Sequence, residues 1–86
     1  MKEITLVFTT RHRNGYAVER DCILICRCIN LFTTRYKYLY NGKGLIVFHV
    51  YNVEKKAHKG LLAELLDRMN SLTYYKSLDL QSYTCK

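Results

Sequence analysis

The chain has 86 residues, of which 49% are hydrophobic, and its formal net charge is +7. This length allows one small domain with one core, so we treat residues 1–86 as a single small basic domain. The composition excludes a disordered chain, and the longest apolar run is too short to cross a membrane.

Residues 3–10 (EITLVFTT) alternate around apolar side chains and predict the first strand. Residues 11–15 (RHRNG) predict a turn. Residues 16–32 fit two structures. As a helix they place one apolar face on Val18, Cys22, Ile25, Ile29 and Phe32, and as a strand they form a hairpin with the first strand. Their length favours the helix.

The segments TTRYKYLY and LIVFHVYN flank NGKG at 41–44, which predicts a β-hairpin. A turn centred there pairs odd-numbered residues of one strand with even-numbered residues of the other. One face then carries a tyrosine ladder of Tyr36, Tyr38 and Tyr40 beside Leu45, Val47, His49 and Tyr51. The opposite face carries Arg35, Lys37 and Leu39 beside Ile46, Phe48 and Val50.

After the hairpin, Asn52 is predicted to cap a helix over residues 53–71, and the tail from residue 73 is predicted to form a last strand. The buried stripe of that helix consists of Ala57, Leu61, Leu62, Leu65, Leu66, Met69 and Leu72. The resulting fold class is α+β, a ferredoxin-like β-α-β-β-α-β sandwich with one sheet face open. The alternative, if residues 16–32 form a strand, is an antiparallel sheet covered by one C-terminal helix.

Four cysteines do not follow the spacing of a zinc site. Cys22, Cys26 and Cys28 lie within an Ile/Leu-rich run, and Cys85 lies near the C-terminus. The pattern predicts reduced core thiols, with no metal and no cofactor. The N-terminal residues lack a signal-peptide cleavage site, so we expect a cytoplasmic protein that does not bind membranes.

The excess of cations points to a polyanionic partner. The predicted element order is that of an RNA-recognition motif, but Leu45, Val47 and Val50 stand where that motif needs aromatic side chains. RNA binding therefore has to use other residues. The tyrosine ladder offers rings for base stacking, and the neighbouring cations offer phosphate contacts. The candidate nucleic-acid-binding residues are Arg11, Arg13, Arg35, Tyr36, Lys37, Tyr38, Tyr40, Lys43, Lys55, Lys56 and Lys59.

Lys55, Lys56 and Lys59 are selected for a separate reason. They lie in the predicted opening turns of the last helix, where the helix dipole is positive and cations are unfavourable. A phosphate docked at this helix end explains the arrangement.

The sequence has no paired carboxylates, no Gly-rich phosphate loop and no nucleophile elbow, so we predict a non-enzymatic protein. The leading hypothesis is binding of RNA or single-stranded nucleic acid. The first alternative is an antitoxin-like inhibitor, encoded by a phage or mobile element, that blocks a host nuclease or toxin, directly or through an RNA bridge. The second is a metal-independent ribonuclease in which His12, His49 and His58, with tyrosines, supply the general acid and base. A homodimer through the edge strand that ends in Tyr40 is compatible with the sequence.

Overall fold

A four-stranded antiparallel sheet with two helices on one face forms the protein, and the other face of the sheet is open. The computed structural model describes residues 3–85. The elements follow in the order β1 (Glu3–Thr10), α1 (Gly15–Ile29), β2 (Tyr36–Tyr40), β3 (Leu45–Tyr51), α2 (His58–Ser71) and β4 (Leu78–Cys85). The sheet order is β2-β3-β1-β4, and each neighbouring pair is antiparallel.

The core lies between the sheet and the helices. Alternation in the two central strands sends every second side chain into it, and Phe8 and Phe48 meet there edge to face with ring centroids 6.0 Å apart. The largest contributions from the sheet and helices are Ile4, Leu6, Phe8, Ile25, Ile29, Ile46, Phe48, Val50, Leu61 and Leu65.

Residues 16–32 are mainly helical, which confirms the helix and excludes the alternative fold with one helix. Asn14 caps α1, and its side-chain oxygen accepts hydrogen bonds from the backbone N–H groups of Tyr16 and Ala17. The Asn-Gly pair in the predicted turn therefore begins a helix. Val18, Cys22, Ile25 and Ile29 are buried, as predicted for the apolar face.

The start of the second helix differs from the prediction. Asn52 does not cap it: Asn52 adopts a left-handed φ of 58°, and α2 begins at His58 after a 3-10 turn at Lys55–Ala57. Val53 is buried in the core, and its carbonyl lies 3.1 Å from the His58 ring. The segment between Asn52 and His58 is therefore packed against the core, and the helix begins only after it. Leu61 and Leu65 are buried as predicted, whereas Leu66 is exposed.

The last strand begins later than predicted. Residues Thr73–Tyr75 form a 3-10 turn, and Tyr75 is buried, with its hydroxyl donating to the Leu24 carbonyl at 2.9 Å. This anchor holds the end of the second helix against the first one and delays β4 until Leu78.

Two of the four thiols lie in the core as predicted, those of Cys22 and Cys28. Burial raises the pKa of each to about 11, so both stay protonated at neutral pH. Cys26 is only half-buried. Cys85 is exposed, contrary to the prediction, because the second half of β4 runs out of the helix-covered area.

Candidate nucleic-acid interface

The tyrosine ladder does not lie on the open face of the sheet. The residues of β2 pair with residues of the same parity in β3, so the three tyrosines share the helix-covered face with buried core residues. The pairs are Tyr36 with Val50, Tyr38 with Phe48, and Tyr40 with Ile46. The predicted grouping of the tyrosines with Leu45, Val47, His49 and Tyr51 is therefore wrong.

The hairpin loop explains this register. Five residues separate the paired Tyr40 and Ile46, and an odd number keeps the parity of the two strands equal. The side-chain oxygen of Asn41 closes the loop by accepting from the N–H groups of Lys43 at 2.7 Å and Leu45 at 3.0 Å. Gly42 and Gly44 supply the positive φ angles that this conformation needs.

The three tyrosines consequently have structural partners. Tyr38 stacks on Phe48 with ring centroids 4.8 Å apart, and its outer side leaves it 44% exposed. Tyr40 is half-buried, and its hydroxyl accepts from the Gly44 N–H. Tyr36 is half-buried, and its side chain is hydrogen-bonded to that of Cys26. Burial, and to a smaller extent this hydrogen bond, raises the pKa of Tyr36. Only Tyr38 presents a large exposed ring surface.

The open face carries few charges. On the two central strands, threonine, valine and leucine supply five of its eight side chains, those of Thr5, Val7, Thr9, Leu45 and Val47. At one corner Lys37 lies over Tyr51, with Nζ 6.0 Å from the ring centroid. His49 is engaged next to them, with its Nδ1 3.3 Å from the Thr5 hydroxyl and 3.5 Å from Oε1 of Glu3. This face is a poor polyanion surface.

Cations gather instead at the end of the sheet where β1 ends and the hairpin turns. The two loops touch there: the Thr10 N–H donates to the Gly44 carbonyl at 2.9 Å. Arg13 reinforces the contact, since its Nη1 donates to the carbonyls of Thr10 at 3.0 Å and His12 at 3.1 Å. Arg11, Arg13 and Lys43, three predicted site residues, are thus brought to one place.

Two further cations, which were not among the residues predicted from the sequence, belong to this cluster. Arg20 lies in the second turn of α1, and Lys76 lies between α2 and β4. The backbone N–H of Arg11 donates to the Ser77 carbonyl at 2.9 Å, which brings the Lys76 segment alongside β1. We call the exposed side chains Arg11, Arg13, Arg20, Lys43 and Lys76 the basic rim.

A buried carboxylate lies within the basic rim. Asp21, 1% exposed, accepts hydrogen bonds from the hydroxyls of Thr10 at 2.6 Å and Ser77 at 3.3 Å. Nδ1 of His12 lies 3.0 Å from the same carboxylate. The sequence could have identified Asp21 as a buried polar residue, because it falls on the apolar stripe of α1 between Val18 and Ile25. A polar residue in such a stripe is satisfied by partners or has a specific role.

Beside this carboxylate is a cavity of about 420 Å³. Its walls come from three segments: the connection after β1, the second turn of α1, and the connection before β4. The charged and aromatic side chains that line it are Arg11, His12, Arg20, Asp21, Tyr74 and Lys76. Tyr74 is 59% exposed.

The remaining predicted cations lie at the opposite end of the sheet. The Arg35 carbonyl accepts from the Tyr51 N–H at the far end of β3. Lys59 lies in the first turn of α2, but Lys55 and Lys56 lie in the preceding 3-10 turn, so their predicted place in the opening turns of the helix is wrong. Since β3 has seven residues, about 20 Å separate the two ends. The predicted cations therefore form two clusters, and Lys37, which lies over Tyr51, belongs to the cluster at the far end of β3.

No protein-family model matches the chain, and no curated protein matches it either. Within residues 3–85, no helix is long and apolar enough to span a membrane. The same residues contain no group of three His, Cys, Asp or Glu side chains placed to hold a metal ion.

Proposed function

We propose that this protein is a non-enzymatic nucleic-acid-binding domain and that the basic rim is its binding surface for RNA or single-stranded DNA. The convergence of five exposed cations from four separate chain segments at one end of the sheet carries this proposal. Such convergence costs free energy through mutual repulsion unless an anion is bound, because like charges are brought together. A nucleic-acid backbone supplies evenly spaced anions.

The mechanism is phosphate neutralisation assisted by stacking. Each single-strand phosphate that a cation neutralises contributes about 0.7 to the slope of log affinity against log salt, so full use of the rim gives a slope of about −3.5. The rings available for stacking at this end are Tyr16 and Tyr74, which are 86% and 59% exposed. Of the three tyrosines in the predicted ladder, Tyr38 still offers one exposed side of its ring for stacking.

The fold supports the same proposal. We infer a ferredoxin-like arrangement from the alternation of strands and helices together with the antiparallel sheet order. In this arrangement the connection after the first strand, the hairpin and the connection before the last strand meet at one end of the sheet. Loops grouped in this way are the usual place for binding residues on a rigid scaffold.

The test compares two double variants that each remove two positive charges. Arg11→Ala/Lys43→Ala removes two rim cations, and Lys55→Ala/Lys56→Ala removes two cations from the opposite end. Binding of labelled single-stranded RNA and DNA is measured across a salt series for each protein. We expect the rim variant to lower the magnitude of the salt slope by about 1.4 and to weaken binding, and the control to bind as the wild type does.

Equal losses in the two variants would show a diffuse charge effect and would contradict the rim as the binding surface. No measurable binding by the wild type would remove the proposal altogether. The search would then turn to a protein partner, as in the inhibitor hypothesis. In that case a pull-down before and after ribonuclease treatment separates an RNA-bridged partner from a direct one.

A further inference from the structure

We propose that the cavity beside His12 binds the terminal phosphate of a nucleic-acid strand, a phosphomonoester carried at its 5′ or 3′ end. This inference rests on the proposed function and deepens it, because the cavity lies within the basic rim. It assigns a chemical role to His12, Arg20, Tyr74 and Lys76, none of which was selected as a binding residue from the sequence.

The His12 ring is held in one orientation. Its Nδ1 lies 3.0 Å from Oδ2 of Asp21, and an ionised carboxylate only accepts hydrogen bonds, so Nδ1 carries the proton. The backbone N–H of His12 donates to the Thr10 hydroxyl at 3.1 Å, which fixes the base of the side chain. Nε2 is then the free ring nitrogen, and it points away from Asp21. The side chain is 39% exposed, so a ligand can reach it.

The Asp21 carboxylate is fully hydrogen-bonded within the protein. Thr10 and His12 donate to Oδ2 and Ser77 donates to Oδ1, so both oxygens have hydrogen-bond partners. The carboxylate therefore orients the histidine and holds three chain segments together. Asp21 also lines the cavity and offsets one of its three cations, so the lining keeps a net charge of +2, which still matches a dianion.

Three cations line the same cavity and are left for a ligand. Within residues 3–85, the side chains of Arg11, Arg20 and Lys76 form no ion pair and no hydrogen bond. Two guanidinium groups and one ammonium group provide directional donors for phosphate oxygens. His12 lines the same cavity, and its Nε2 forms no hydrogen bond within residues 3–85.

The shape and charge favour a strand end over an internal phosphate. A volume of about 420 Å³ is at the small end of the range for ligand pockets and suits one nucleotide. Asp21 lines the cavity and is buried, so this part of the lining faces the protein interior. Three cations suit a dianion better than the single charge of a phosphodiester. The exposed ring of Tyr74 lies at the cavity wall, where the terminal base can stack.

The experiment uses the full chain and one short labelled RNA in three forms, carrying a 5′-phosphate, a 3′-phosphate or no terminal phosphate. We expect one phosphorylated form to bind at least about tenfold more tightly than the unphosphorylated form, because it gains several charge-assisted hydrogen bonds. The form that is preferred identifies the end. Inorganic phosphate should compete for this preference.

Two variants test whether the preference for a terminal phosphate depends on residues of the cavity. Arg20→Gln/Lys76→Gln should reduce it to less than about twofold, while the matched control Lys55→Gln/Lys56→Gln, with the same change in charge, should retain it. His12→Asn keeps an N–H donor toward Asp21 but lacks Nε2, and it should weaken the preference without lowering the melting temperature.

Three outcomes would overturn the inference: equal affinity for the three RNA forms, a preference that survives Arg20→Gln/Lys76→Gln, or RNA cleavage that His12→Asn abolishes. The last result would make His12 a catalytic residue. Equal affinities with rim-dependent binding would leave the proposed function standing. If the wild type bound inorganic phosphate but none of the three RNAs, the proposed function would be refuted. The cavity would then be an anion site with no nucleic-acid ligand.

Discussion

Substitution of Gly44 by alanine tests the contact that assembles the basic rim. Gly44 has a φ of +90°, and a Cβ built on it would lie 3.1 Å from both the Thr10 carbonyl oxygen and Nη1 of Arg13. Its own carbonyl accepts from the Thr10 N–H at 2.9 Å. The Arg13 side chain can move aside, but the Thr10 carbonyl belongs to β1 and cannot move without disturbing the sheet.

The expected cost has two parts. A non-glycine residue at a positive φ costs about 1–2 kcal/mol. Weakening the hydrogen bond between Thr10 and Gly44 adds about 1 kcal/mol. We therefore expect Gly44→Ala to lower the free energy of unfolding by about 2–3 kcal/mol, which corresponds to roughly 10–20 °C in melting temperature for a domain of this size.

Gly42→Ala is the matched control. Gly42 also has a positive φ, +79°, but nothing lies within 4 Å of its added Cβ, so only the conformational part applies. Urea denaturation of both variants measures the difference, expected at about 1 kcal/mol. Equal losses in the two proteins would refute the close approach of the hairpin to the end of β1. Negligible losses in both would refute the loop conformation itself.

Three further predictions concern stability. Tyr75→Phe should cost about 1–2 kcal/mol in urea denaturation, because the buried Leu24 carbonyl loses its 2.9 Å donor; an unchanged midpoint would contradict that bond. Gly15→Ala should stabilise by about 0.4–1 kcal/mol, since nothing lies within 4 Å of the added Cβ and alanine restricts the unfolded chain; a lower melting temperature would contradict this. Burial raises the pKa of the Cys22 and Cys28 thiols from 9.0 to about 11, so their contribution is complete below pH 9 and is lost as the pH rises toward 11. Cys22→Ala should accordingly flatten the decline in unfolding free energy between pH 8 and 10.5, and an equally steep decline in the variant would contradict the shift.

Local patterns predicted the elements well because they report on burial along one segment. Alternation around Ile4, Leu6 and Phe8 identified β1, and spacing at three to four residues identified the buried face of α1. The starts of α2 and β4 were predicted less well. Val53 belongs to the core cluster, and Tyr75 donates to the distant Leu24 carbonyl. Such tertiary contacts leave no periodic signal in the neighbourhood of either residue.

The face of the tyrosines was predicted wrongly for a specific physical reason. The sequence NGKG indicates where the hairpin turns but not how many residues the loop contains, and one residue more or fewer moves every side chain of β2 to the other face. The Asn41 side chain decides the length by closing on the N–H groups of Lys43 and Leu45. Asparagine forms such turns often, but the pattern NGKG permits shorter ones as well.

Arg11, Arg13 and Lys43 were selected from the sequence as cations of the first turn and of the hairpin, and the fold brings them together. Arg20 and Lys76 were missed because each is an ordinary exposed cation in its own segment. Only the contact of three connections at one end of the sheet gives them a common location. Sequence patterns of 10 to 20 residues do not contain that information.

Charge alone also does not separate the roles of the rim cations. Nη1 of Arg13 is already bonded to the carbonyls of Thr10 and His12, so this guanidinium contributes to holding the connection after β1 in place. The side chains of Arg11 and Lys76 form no such bonds within residues 3–85, and their free donors remain available to a ligand. A cation that organises the loop and cations that meet the phosphate are both needed for a rigid anion site, because a donor fixed before binding loses less conformational entropy on binding.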